Sequence, residues 1–178
     1  MQDTGSRFDV HLAELRAAPA DEGRVELIVR RPAHDEREVL AEALLDPELG
    51  LEGDRWAKSD VATTPVYLAS QLTVMSTRVL AAIEPDPARW PLAGDQLYVD
   101  LDLSEANLPA GTRLAVGSAI IEVSETPHTG CAKFSARFGS DALRWINSTE
   151  GRVERRRGLN ARIVRGGTVR MGDAIRRT

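Results

Sequence analysis

Two residues, Gly117 and Ser118, separate the runs Thr112-Arg113-Leu114-Ala115-Val116 and Ala119-Ile120-Ile121-Glu122-Val123. Strand-like runs joined by a two-residue glycine turn predict a tight hairpin, because the turn that glycine permits matches the twist of the strands it connects. The same grammar recurs along the chain. Gly23 to Pro32 alternates apolar and polar residues and stops at a proline, as a strand does. Gln96 to Leu101, Leu159 to Val164, Thr168 to Met171 and Ala174 to Arg176 read as further strands, the last three punctuated by Gly166-Gly167 and Gly172-Asp173. Many short strands with tight glycine turns and few helices between them predict a mainly β protein. A closed β-barrel with a few inserted short helices fits this better than a doubly wound sheet.

Several segments interrupt the strands. Residues 7–17 bring Phe8, Leu12 and Leu15 to near-helical spacing, so residues 1–19 read as an N-terminal helical extension and 20–178 as the barrel domain. Residues 35–45 look helical by propensity, with a strand-like link as the alternative, and Pro47 ends them. Tyr67-Leu68-Ala69 reads as a short strand. Ser70 then caps an amphipathic helix from Gln71 to Ile83, with Leu72, Met75, Val79, Leu80 and Ile83 on one face. Residues 131–138 and 140–147 read as two short helices broken at Gly139. The stretch Leu49 to Trp56 mixes glycines, charges and Trp56, a composition more typical of a functional loop than of a plain connector.

With 178 residues and 42% hydrophobic content the chain is long enough to bury one core, which excludes global disorder. Aromatic residues make up only 4%, which argues against a base-stacking nucleic-acid binder. No apolar run approaches the roughly 20 residues of a membrane span. The first residues lack a positive-then-apolar export pattern, and a single cysteine fits a reducing compartment; the expectation is a cytoplasmic protein. Net charge is −4, yet Gly151 to Thr178 holds nine arginines against Glu154 and Asp173. Either an anionic ligand or partner meets that segment, or the arginines face water and balance an acidic body.

No phosphate loop, dinucleotide fingerprint or G-x-S-x-G elbow is present, and His11, His34 and His128 do not cluster in sequence. The feature left is Cys131, in Pro127-His128-Thr129-Gly130-Cys131-Ala132-Lys133-Phe134-Ser135-Ala136-Arg137. Having no partner thiol, it is either a buried small hydrophobe or a reactive sulfur. It falls where a helix would begin, with Thr129 as a candidate cap. A helix start, together with positive charge from His128, Lys133 and Arg137, favours the thiolate.

Three stretches together resemble the MOSC domain, the C-terminal domain of molybdenum-cofactor sulfurase and its stand-alone bacterial relatives. They are Gly50-Leu51-Glu52-Gly53-Asp54-Arg55-Trp56; Ala93-Gly94-Asp95-Gln96-Leu97 running on through the hairpin to Val123; and Gly130-Cys131-Ala132-Lys133-Phe134, followed by Arg157-Gly158-Leu159-Asn160 and Gly167 to Asp173. The resemblance implies a closed barrel like the one inserted in pyruvate kinase. It implies a role in binding the molybdenum cofactor or handling sulfur, with Cys131 as metal ligand or persulfide carrier. Some relatives act in reductive systems for N-hydroxylated compounds. Asp54, Arg55, Asp95, His128, Thr129, Gly130, Lys133, Arg157 and Asn160 would line the cofactor pocket, the arginines suiting its phosphate. A small-molecule substrate and a separate electron or sulfur donor protein are implied, with no nucleic acid and no membrane. The chain departs from many relatives in carrying Asp95-Gln96 before Leu97 and Gly130 before the cysteine. The alternative is therefore a binding module that keeps the barrel without the chemistry.

Overall fold

The computed structural model describes residues 6–58 and 64–178; the first five residues of the expected N-terminal extension lie outside them. Within that extension a 3-10 turn at Asp9–His11 runs into α1 (Leu12–Arg16). Strand β1 (Glu22–Arg30) follows and ends just before Pro32. Residues 35–45, which propensity marks as helical, form instead β2 (Glu38–Leu40) and β3 (Glu42–Asp46). Ala43 and Leu45 are buried and Leu44 is exposed, the alternation of a half-covered strand, so tertiary pairing overrides propensity here. A two-residue strand, β4 (Gly50–Leu51), pairs with β3.

The next segment corrects the sequence reading twice. Tyr67-Leu68-Ala69 is helical, within α2 (Pro65–Ala69). Thr64 caps it by accepting from the Tyr67 N–H, and Pro65 opens it, both standard helix-start devices. Ser70 closes that helix rather than capping the next one. The expected helix over 71–83 divides into β5 (Leu72–Ser76) and α3 (Thr77–Ile83). Then come a 3-10 helix (Pro87–Ala93), β6 (Leu97–Asp100), the hairpin β7 (Arg113–Val116) and β8 (Ala119–Val123), and the helices α4 (Ala132–Phe138), α5 (Ser140–Asn147) and α6 (Thr149–Val153). Strands β9 (Leu159–Arg165), β10 (Gly167–Arg170) and β11 (Ala174–Arg177) complete the described chain.

The large sheet runs β11-β7-β8-β9-β5-β6-β1-β2, and β11 also pairs with β1. Seven strands therefore close into a barrel, with β2 added outside β1. All pairings are antiparallel except β5–β6, so the sheet is mixed. Closure leaves the seven barrel strands no free edge. A separate sheet, β10-β3-β4, packs beside it. Val25, Val74, Leu97, Val99, Leu114, Ile121, Ala161 and Ile175 fill the barrel. A second core, built on Val29, Met75 and Tyr98, lies under Val79, Leu80, Phe134, Phe138 and Trp145. Strands β5 and β6 thus bury both faces, Val74 and Leu97 toward the barrel and Met75 and Tyr98 toward the helices. No described helix is long and apolar enough to cross a membrane.

Candidate functional site

Asp95 anchors the site. The 3-10 helix before it ends at Gly94, whose left-handed backbone (φ 89°) turns the chain toward β6, a conformation glycine adopts at no steric cost. Asp95 is fully buried. Its Oδ2 accepts from Arg157 Nη1 at 2.7 Å, and Arg157 Nη2 donates to the Ala93 carbonyl at 3.0 Å. The Arg157 guanidinium also lies over the Phe134 ring, 5.1 Å from its centroid. The Asp95 N–H donates to the Tyr98 hydroxyl. Burial, followed by the charge of Asp95, pushes that phenol well up, so it stays neutral. Gln96, the other departure from many relatives, is buried too, its side-chain oxygen accepting from the Thr73 N–H and hydroxyl. Gln96 is thus absorbed into the seam between β5 and β6, while Asp95 is taken up by Arg157.

Two side chains, Asn160 and Asn147, hold the segment from Thr126 to Cys131, and His128 within it faces Asp95. Asn160, on β9, donates to the carbonyls of Thr126 and Pro127 at 3.1 and 3.2 Å. His128 Nδ1 stands 3.5 Å from Asp95 Oδ1, too long for a well-formed hydrogen bond, and both buried atoms are left without a closer partner. Burial, then the Arg157 charge, pushes His128 down to about 3 against the pull of Asp95, so the imidazole is neutral and the contact is not an ion pair. Asn147 grips Gly130. Cys131 is exposed and is itself the N-cap residue of α4. No side chain caps that helix, so the expectation that Thr129 does so is corrected; Thr129 is exposed beside the cysteine. The Phe134 N–H lowers the thiol below its ordinary value most strongly. Burial opposes this, while the Lys133 N–H and the charges of Arg157 and Lys133 add to it. A sulfur so placed carries more thiolate.

A wall of cations gathers around Gly94, next to Asp95. Asp54 is buried and spoken for: it takes Arg31 through Nε and Nη2, both at 2.9 Å, and also accepts from the Arg31 and Trp56 backbone N–H groups. It braces Arg31, whose Nη1 donates to the Gly94 carbonyl. Arg137 donates to the Leu92 carbonyl and to Asp35. Arg37 is half-buried, with its Nε buried and unpartnered. Burial, then the nearby Arg137 and Arg31, lowers its basicity. A methyl group at Gly94 would lie 3.6 Å from Arg37 Nη2 and 3.9 Å from Arg137 Nη1, so both guanidiniums sit over this glycine. Lys133 Nζ lies 3.4 Å from His34 Nε2. Of these four cations, Arg31 pairs with Asp54 and Arg137 with Asp35, while Arg37 donates to the Glu36 carbonyl and Lys133 meets His34. Arg55 stands apart: it is exposed, and its backbone N–H donates to the Arg31 carbonyl.

Asp95, His128, Gly130, Cys131, Lys133, Arg157 and Asn160 therefore come together, Asp54 acts through Arg31, and Arg31 and Arg37 are additions to the sequence reading. The pair Arg30-Arg31 before Pro32 was the available signal for the first. Arg37 lay in a segment read as helix, with nothing to direct it toward Cys131. The C-terminal arginines divide: Arg162, Arg170 and Arg176 pair at the surface with Glu122, Glu42 and Glu22, whereas Arg156 is buried over the Trp145 ring and pairs with Glu154, and Arg155 donates to the Leu108 carbonyl. Among the described residues no three His, Cys, Asp or Glu side chains are grouped to hold a metal ion. A metal at Cys131 would draw its other ligands from a bound cofactor or solvent.

A family model described as the MOSC domain matches residues 59–176. Solved structures share the fold. The YuaD protein from Bacillus subtilis aligns with a TM-score of 0.63 at 18% identity, over 86% of this chain and 94% of that one. YiiM from Escherichia coli gives 0.58 at 22%, over 87% and 69%, and YiiM from Geobacillus stearothermophilus 0.62 at 14%, over 88% and 75%. No curated protein sequence matches the chain.

Proposed function

The chain belongs to the MOSC domain family, and from that premise we propose that it binds the molybdenum cofactor, with Cys131 as the ligand or sulfur carrier at the reacting end. One observation carries the reading. An exposed cysteine with a favoured thiolate begins α4, the helix that also carries Lys133 and Arg137, and Arg37, which shares Gly94 with Arg137, has a buried Nε without a partner. Arg37 Nη1 donates to the Glu36 carbonyl, but a half-buried guanidinium among other cations with one N–H left unpartnered is costly unless an anion completes the site. A phosphate-bearing pterin does so: planar, multidentate guanidiniums suit phosphate oxygens better than point charges do. Arg31, Arg37, Arg137 and Lys133 would hold the phosphate and Cys131 the metal.

When bound, the cofactor supplies two-electron redox chemistry at the metal. The chain's own residues do the rest. Arg157 and Asp95 fix the wall behind the sulfur, Asn160 and Asn147 fix the sulfur loop, and neutral His128 keeps a further positive charge out of the buried cluster. The family points to a small N-hydroxylated substrate and a separate electron or sulfur donor.

Purification from a host that makes the cofactor tests this reading. Molybdenum and pterin are expected in near-equal amounts per chain; a carrier role instead gives an intact mass heavier by one sulfur atom, lost in Cys131→Ser. Protein with neither, and with an unmodified thiol, is the outcome of a binding module and overturns the proposal.

A further inference from the structure

The loop that delivers Cys131 is gripped from one helix face. Asn147 Oδ1 accepts from the Gly130 N–H at 2.9 Å, and Asn147 Nδ2 donates to the Gly130 carbonyl at 3.1 Å. One amide side chain thus satisfies both backbone groups of the residue directly before the cysteine. Gly130 does not owe its identity to backbone angle, since it is not among the positive-φ glycines. It owes it to contact. A Cβ there would lie 2.7 Å from both Leu143 Cδ1 and Ile146 Cδ1, closer than any carbon pair tolerates. Residues 143, 146 and 147 share one face of α5 by helical spacing. That face is therefore a seat for Gly130, with two apolar walls and one bidentate clamp.

We propose that Asn147 is a positioning residue for Cys131, holding the thiol over the first-turn amides of α4 and within reach of Lys133 and Arg157. Asparagine is a poor helix former that competes for local backbone bonds; at the last position of α5 its side chain is instead spent across the loop. The sulfur's surroundings are the backbone N–H groups of Lys133 and Phe134 and the charges of Lys133 and Arg157. The Lys133 and Phe134 groups belong to α4, whose N-cap residue is Cys131 itself, whereas Arg157 lies on a separate element, so a small swing of Gly130 turns the thiol away from the first-turn amides and shifts it relative to Arg157. Asn160 secures the far end of the loop at Thr126 and Pro127, and Asn147 secures the end that matters for the sulfur.

This inference rests on Cys131 being the functional sulfur, but its test needs no cofactor. The purified full chain is alkylated with iodoacetate and, separately, with iodoacetamide. The rate ratio reports whether the thiol sits in a cationic field, since only iodoacetate carries a negative charge. In Asn147→Ala the ratio is expected to fall about fivefold, the scale of one charge–charge contact at about 4 Å in water, as befits an exposed thiol. Asn147→Gln, which keeps donor and acceptor, is expected to recover most of it. Gly130→Ala pushes against the same seat from the loop side and should lower the ratio likewise, which provides a second reading if Asn147→Ala loses its cooperative melt. Ratios matching the native protein in both folded alanine variants would overturn the proposal. Failure of molybdenum to co-purify leaves this result untouched, so the two readings fail separately.

Discussion

Asp95 and His128 show how single residues carry the site. Asp95 holds Arg157 through one oxygen and faces His128 with the other. Removing one member of a buried ion pair leaves the other charge uncompensated, at a cost of about 3–5 kcal/mol. Asp95→Ala should therefore unfold in urea at a much lower midpoint, while Asp54→Ala, which frees the half-exposed Arg31, should cost less. His128 gives a pH signature. Its folded value, about 3, lies below the ordinary 6.5, so the unfolded chain binds a proton that the folded chain refuses. Stability is then full above about pH 6.5 and falls as pH drops toward 3, by up to about 1.4 kcal/mol per unit. His128→Gln removes that slope. Urea midpoints measured from pH 7 to 4 should decline less steeply in the variant; parallel curves would contradict a buried neutral imidazole.

At the scale of elements, the chain was legible where one face is wet and obscure where both are dry. The hairpin of β7 and β8 follows from Gly117-Ser118 alone. Segment 72–83 misleads because β5 is buried on both faces: Leu72, Val74 and Met75 form a near-continuous apolar run that matches helical spacing by coincidence with α3. Segment 38–46 misleads because Glu, Ala and Leu favour helices while the pairing with β10 decides the outcome. The turn into β9 carries a testable constraint. Gly158 has φ 91°, and a Cβ there would run into the Val74 carbonyl, on the strand that pairs with β9. Gly158→Ala should cost on the order of 2–3 kcal/mol by chemical denaturation. It should also disturb Arg157, its neighbour, more than a distant glycine substitution such as Gly172→Ala.

For the whole molecule, closure of seven strands brings together residues that the sequence keeps far apart. Arg31 and Arg37 lie between β1 and β2, Asp95 precedes β6, Cys131 starts α4 and Arg137 lies in its last turn, and Arg157 precedes β9. Cys131 could be singled out from local cues, because its thiolate preference comes from its own helix start. The cationic wall could not, since strand order and register decide which arginines gather around Gly94. In the proposed function wall and sulfur are two halves of one site, the wall for the anionic end of the cofactor and Cys131 for the metal. Pterin and molybdenum content, measured together in the native protein, Arg37→Gln and Cys131→Ser after expression in one cofactor-producing host, separates the halves. The prediction is that Arg37→Gln loses pterin and metal together, while Cys131→Ser keeps most of the pterin and loses metal. Native-like contents of both in Arg37→Gln would contradict it.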